Sequence, residues 1–243
     1  MMADRLLTML VAIALAVAPG GASSVSLNGE EGRPMQTEGL YTPIARYLED
    51  RVAEFETIST DRRATLEELS RYIGEQRSAD QEVRLIFVCT HNSRRSHMAQ
   101  LWAAAAAEAY GLPLATYSGG TEDTAFNPRA VAAMRRAGFE IQQTTNGRNV
   151  VYHARMGPGL LPMTCFSKAY HSPPNPKDGF GAVMVCSDAD EACPYVKGAT
   201  GRFAIPFVDP KASDDTPDES NTYDDRCAQI AREMLYVMSR VKR

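Results

Sequence analysis

Cys89 and Arg95 are separated by five residues in the run Cys89-Thr90-His91-Asn92-Ser93-Arg94-Arg95-Ser96, directly after the apolar stretch Leu85-Ile86-Phe87-Val88. A loop of that length can curl once around a tetrahedral oxyanion, with its backbone N–H groups turned inward. A helix starting at its end adds partial positive charge. The planar fork of Arg95 can hold two oxygens at once. The same field favours the thiolate of Cys89, the nucleophilic form of a cysteine. Ser96 can donate a hydrogen bond to that sulfur. Asn92 suits a left-handed backbone position inside the loop. Thr90, His91, Ser93 and Arg94 supply the remaining lining of the anion site. The Arg94 side chain is expected to face outward, where its charge still favours an anion.

Stepping outward along the chain, the elements that hold this loop alternate. Leu85 to Val88 has the continuous apolar character of a buried parallel strand. Met98, Leu101, Trp102, Ala105, Ala106 and Ala109 form a helical stripe that stops at Gly111 and Pro113. Thr116 to Ser118 is a short strand closed by Gly119-Gly120. Asn127-Pro128 caps a further helix. Val150–His153 and Met163–Phe166 read as a hairpin around Gly157-Pro158-Gly159. Ser172 to Lys177 is a proline-rich loop. Ala182–Val185 and Phe203–Val208 are further buried strands, and Asp214 to Asp225 is an acidic, solvated loop. The chain closes with an amphipathic helix through Cys227, Ile230, Met234 and Met238. Alternation of this kind implies an α/β domain with a mainly parallel sheet and helices on both faces. Ligands of such sheets bind at the carboxyl ends of the strands.

The composition sets limits. The chain has 243 residues, 44% hydrophobic and 23% charged, with a net charge of −4. These are globular values, and the balance lacks the basic face that nucleic-acid binding needs. Five cysteines cannot all pair within one chain. Cys165 and Cys227 fall on apolar patterns and read as core residues. His97, His153 and His171 have no metal-like spacing, and Trp102 belongs to the apolar stripe.

Before the domain, Leu6 to Ala18 is an uninterrupted apolar run apart from Thr8, with Arg5 before it and small residues after it. As a helix it spans about 20 Å, short of the roughly 30 Å hydrocarbon core. It reads as a secretory signal peptide over residues 1–22. An exported, periplasmic protein follows from that reading, touching a membrane only if the leader stays uncleaved. A start at Met35 would give a cytoplasmic chain instead. Residues 23–39 read as a linker. Residues 40–80 hold two short amphipathic helices, with Ile44, Leu48, Val52 and Phe55 on one face and Leu66, Leu69, Tyr72 and Ile73 on the other. They are expected to be structural, ahead of a catalytic domain over 83–243.

From Val83 onward, the buried strand, Cys-x5-Arg-Ser and the helix after it resemble the low-molecular-weight tyrosine phosphatase superfamily. The resemblance implies a three-layer α/β/α fold around a roughly four-stranded sheet, with an insertion near Val150–Pro176. It also implies a general acid at Asp209-Pro210, after the last buried strand, although Asp-Pro is by itself a common turn starter. Lys211 and Ala212 stand where phosphatases carry aromatic residues for a tyrosyl ring. His91 replaces a glycine of the family loop.

The run Cys186-Ser187-Asp188-Ala189-Asp190-Glu191-Ala192-Cys193-Pro194 is similar to the redox segment of thioredoxin-coupled arsenate reductases. That similarity implies three thiols in series. Cys89 attacks arsenate, Cys186 attacks the arseno-cysteine sulfur, and Cys193 attacks Cys186. An external dithiol such as thioredoxin then reduces the last disulfide, and no cofactor is bound. A disulfide needs Cα atoms roughly 4.4–6.8 Å apart, whereas seven steps of helix cover about 10 Å. The SDADEA stretch is therefore expected to loop or unwind.

Two other readings of the pair are a static disulfide of an exported protein and a zinc set with Cys165 and His171, at a spacing that no standard zinc knuckle has. Asn92 and Ser118 resemble reductase positions used for loop support and a potassium site. Gln100 stands where reductases carry a glutamate, and no metal is expected. The expectation is an arsenate reductase, with a phosphatase acting on aryl phosphates as the alternative. A non-catalytic oxyanion-binding protein is the weakest reading, having no use for a thiolate beside the anion.

Overall fold

The structure is a computed structural model that describes residues 34–242. The leader expected over 1–22 and most of the linker lie outside the described residues. The end of the linker packs on the domain, where Gln36 N donates to Ala109 O at 2.6 Å.

The sheet is built around β1 (Val83–Cys89), buried at all but one position. It pairs in parallel with β2 (Leu114–Gly120) on one side and β6 (Phe180–Met184) on the other. Parallel pairing of β6 with β7 (Ala199–Ala204) completes the order β2-β1-β6-β7. Strands covered on both faces have no need of a polar alternation, which explains the unbroken apolar run in β1. Helices flank the sheet in the three-layer α/β/α arrangement. Helix α3 (Arg95–Ala109) packs on β1, β2 and the long C-terminal α6 (Glu219–Ser239). Helices α1 (Thr42–Val52) and α4 (Pro128–Arg136) also pack on α6. Asn127 caps α4 by accepting from Arg129 N.

Three expectations are corrected. A second, antiparallel sheet exists, with β3 (Glu140–Gln143) added to the expected hairpin of β4 (Tyr152–Arg155) and β5 (Met163–Cys165). Strand β3 is nearly all polar, with only Ile141 buried, so it carried no periodic signal. The last parallel strand ends at Ala204 rather than Val208. Ile205 N and Phe207 N still donate to Met184 O and Val185 O, but Pro206 has no N–H to continue the ladder. Asp214–Asp225 is not a solvated loop. Its second half is the first part of α6, and Asp214 accepts hydrogen bonds from Arg94 and Tyr223.

Helices α1 and α2 (Thr60–Ser78) share one apolar core with the sheet. Helix α2 packs against α6, β7 and β1. Its Tyr72 ring lies against Gly181 and Gly201, where a Cβ would come within 2.8 Å and 3.0 Å of ring atoms.

Candidate active site

The carboxyl ends of β1, β2 and β6 meet at one edge. Register pairs Cys89 with Gly120 and Val88 with Met184, which leaves Cys186 just past the end of the neighbouring strand. The loop from Thr90 to Arg94 turns at this edge. Asn92 takes φ 43°, the left-handed position expected of it. Gly120 makes room for that turn, since a Cβ there would lie 2.7 Å from Asn92 N and 2.1 Å from Glu122 O.

Three of the loop carbonyls are held by hydrogen bonds from outside the loop. Thr90 O accepts from Glu122 N and Thr121 Oγ1, His91 O from Thr124 Oγ1 and Ser167 Oγ, and Ser93 O from Asn127 N. The amides of Thr90 to Arg94 donate to no group among the described residues. With those carbonyls held from outside, these N–H groups are left as a cradle for an oxyanion.

Cys89 Sγ lies 3.1 Å from Ser96 Oγ, and Asn92 Nδ2 donates to that same oxygen at 2.9 Å. Ser96 has one proton to give. Its oxygen accepts from Asn92 and lies within hydrogen-bond reach of the sulfur, where the hydroxyl can donate to an ionised Cys89 or accept from its S–H. Arg95 is buried, and its Nη1 donates to Phe207 O at 2.9 Å and its Nη2 to Asp209 Oδ2 at 2.8 Å. Its Nε is buried without a hydrogen-bond partner among the described residues. Asp209 also caps a short 3-10 turn by accepting from Lys211 N.

Arg94 does not face outward as expected. It donates to Tyr223 Oη at 2.7 Å and to Asp214 Oδ2 at 3.0 Å, with Asp209 Oδ1 3.9 Å away. The tether arises because Asp214 and Tyr223, distant in sequence, close over the loop. His91 is half exposed, 3.8 Å from Glu122, so its side chain points out of the cradle.

Thr90 Oγ1 lies 3.5 Å from Cys186 Sγ, so the second thiol stands at the rim of the loop. Cys186 is buried and caps α5 (Ser187–Ala192), where Ala189 N donates to its sulfur. SDADEA is therefore a short helix and not a loop, as Cys186 supplies its cap. Cys193 follows at the far end and is partly exposed. Both are free thiols. Among the described residues no three His, Cys, Asp or Glu side chains form a metal-binding group, so Cys165, His171, Cys186 and Cys193 do not converge. Burial pushes the thiols of Cys165 and Cys227 up to about 12.

Sequence reasoning missed the buttress behind the loop. Ser167 and Lys168, from the insertion, bind it from outside. Lys168 N donates to Asn92 Oδ1 at 2.9 Å, and Gly120 N donates to Lys168 O. Burial lowers the Lys168 ammonium to about 8. His97, in the first turn of α3, bonds Ser118 through Nδ1 and stacks on Phe126. Burial, aided by the charge of Lys168, holds it well below its ordinary value. Ser118 is thus occupied by a histidine, and Gln100 donates to Thr116 O.

Residues 84–150 match the family model described as low molecular weight phosphotyrosine protein phosphatase. Arsenate reductase 2 of Staphylococcus epidermidis is 28% identical over 52% of this chain and 77% of its own length. The arsenate reductase of Bacillus licheniformis is 28% identical over 56% of this chain and 79% of its own. Among solved structures, the low molecular weight protein tyrosine phosphatase from T. tengcongensis has a TM-score of 0.44 at 16% identity, covering 64% of this chain and 97% of that one.

Proposed function

Given its relationship to the low-molecular-weight phosphatase superfamily and to the arsenate reductases, we propose that the chain is a thiol-dependent arsenate reductase. The observation that carries this reading is Cys186 at the loop rim, 3.5 Å from Thr90 Oγ1, with Cys193 one short helix away.

In the proposed cycle, arsenate enters the amide cradle and takes up the free Nε of Arg95. Its negative charge competes with Asp209 for the Arg95 fork, so the acid is released to carry a proton. The Cys89 thiolate attacks arsenic, and Asp209 gives its proton to the departing hydroxide, which leaves as water. The Cys186 thiolate then attacks the Cys89 sulfur. The S–As electron pair goes to arsenic, which leaves as arsenite, and a Cys89–Cys186 disulfide remains. Cys193 attacks Cys186 and frees the Cys89 thiolate. Helix α5 must unwind for this step, because its ends are too far apart for an S–S bond. An external dithiol, of the thioredoxin type, reduces the Cys186–Cys193 disulfide and so supplies the two electrons.

The same cradle, thiol and acid suffice for hydrolysis of an aryl phosphate through a phosphocysteine. The match to a phosphatase family model favours this second reading. Kinetics of the Cys186→Ser protein separate the two. Arsenate turnover with a dithiol is expected to be abolished while aryl phosphate hydrolysis persists, and survival of both activities would remove the reductase reading. Cys89→Ser is expected to lose every activity. We also propose export through residues 1–22, which N-terminal sequencing of the mature protein would test; an intact Met1 would remove it.

A further inference from the structure

The N-terminal helical pair lies outside the segment that resembles the superfamily, yet one of its side chains reaches the strand end that carries the acid. Arg62, in the first turn of α2, directs Nε and Nη2 to Glu233 Oε2 of α6, at 2.8 Å and 2.7 Å. Glu233 is buried, and its other oxygen accepts from Gln229 Nε2. The ion pair fixes the plane of the guanidinium. Nη2 also donates to Pro206 O at 3.1 Å, and the guanidinium carbon lies over the Phe207 ring, 5.1 Å from its centre.

Phe207 and its neighbours are where Arg95 is held. Phe207 O accepts from Arg95 Nη1, and Asp209, two residues on, accepts from Arg95 Nη2. The sheet ties this segment down only as far as Phe207 N, and Pro206 and Val208 are both exposed. Neutralising Glu233 would require only a positive charge. The hydrogen bond to Pro206, made by a fork that also binds Glu233, is directional and needs the shape of arginine, and the cation also lies over the Phe207 ring.

We infer that Arg62 is a positioning residue of the anion site, acting through Pro206 and Phe207 on Arg95 and Asp209. Helix α2 is then a working part of the site and not only a structural cover. The inference rests on the reading of the Cys89–Arg95 loop as an oxyanion cradle.

The test uses the full chain and inorganic phosphate as the probe. Arg62→Lys keeps a cation beside Glu233 but lacks the fork and the flat face. Its phosphate dissociation constant is expected to rise about fivefold or more, with a matching rise in KM for an aryl phosphate and an altered pH profile of kcat. A folded Arg62→Lys protein with a phosphate constant within about twofold of the parent, and an unchanged pH profile, would overturn the inference. The double variant Arg62→Gln, Glu233→Gln removes both members of the ion pair and carries the same test, with the same expected and overturning results, where the single substitution does not fold. A parent protein that fails to bind phosphate would remove the cradle reading and this inference together. A parent that binds, with variants that bind equally well, removes only the inference.

Discussion

Ser96 stands between the side-chain amide of Asn92 and the sulfur of Cys89. Asn92 Nδ2 donates to Ser96 Oγ, which lies 3.1 Å from Cys89 Sγ, close enough for the serine hydroxyl to donate to an ionised sulfur. Ser96→Ala is expected to lower kcat for an aryl phosphate by about 10- to 100-fold and to slow alkylation of Cys89 by iodoacetamide at neutral pH. Equal alkylation rates in both proteins would mean that the hydroxyl does not stabilise the thiolate. His97 makes a second prediction at this scale. It is buried and held neutral, so its folded-state pKa lies below the unfolded value near 6.5. Below about pH 6.5 the unfolded chain binds the proton that the folded chain refuses. Stability therefore falls as pH drops through that window, by up to about 1.4 kcal/mol per pH unit from this one group. Denaturant unfolding of parent and His97→Asn between pH 7 and 5 checks it, with a shallower slope expected for the variant.

At the scale of elements, the loop is shaped by the end of β2 and by the insertion. A methyl group at Gly120 would meet Glu122 O, Thr90 O and Asn92 N, all within 2.7 Å. Gly120→Ala is expected to cost both activity and stability, since all three contacts are backbone atoms and the loop must move outward to admit the methyl. Phosphate titration and a thermal melt would separate the two effects, and unaltered phosphate binding would count against the close approach. The insertion carries Lys168, whose amine is buried with Phe166 O 3.4 Å away and the Phe166 ring beneath it. Its link to the loop is made by the backbone N–H, which a substitution keeps. Lys168→Met is therefore expected to leave stability at pH 7 unchanged, or to raise it by about 1–2 kcal/mol, by removing a poorly solvated charge. A loss of more than about 1 kcal/mol would show that the ammonium itself holds the insertion.

For the whole molecule, the helices before Val83 are part of the core. Leu66, Leu69 and Ile73 of α2 are fully buried in the same cluster as β1 and α6. Leu69→Ala is expected to cost about 2–5 kcal/mol in chemical denaturation, and a cost under about 0.5 kcal/mol would mean that α2 is loosely docked. Much was legible without coordinates. Continuous apolar runs marked β1 and β6 because a strand covered on both faces has no polar side to show. The chemistry of the loop was legible because Cys89, Asn92, Arg95 and Ser96 are close in sequence, and their geometry follows from local backbone preference and the start of a helix. Nothing of that kind marked Arg62, Asp214, Tyr223 or Lys168, which read as ordinary polar positions on their own segments. Their roles depend on contacts across 76 to 171 positions of chain. Sequence by itself thus determined which reactive side chains stand together and the strands that end beside them. Only the tertiary structure decided which distant charges hold those groups in place, because an ion pair or a carbonyl contact leaves no periodic trace in the residues that make it.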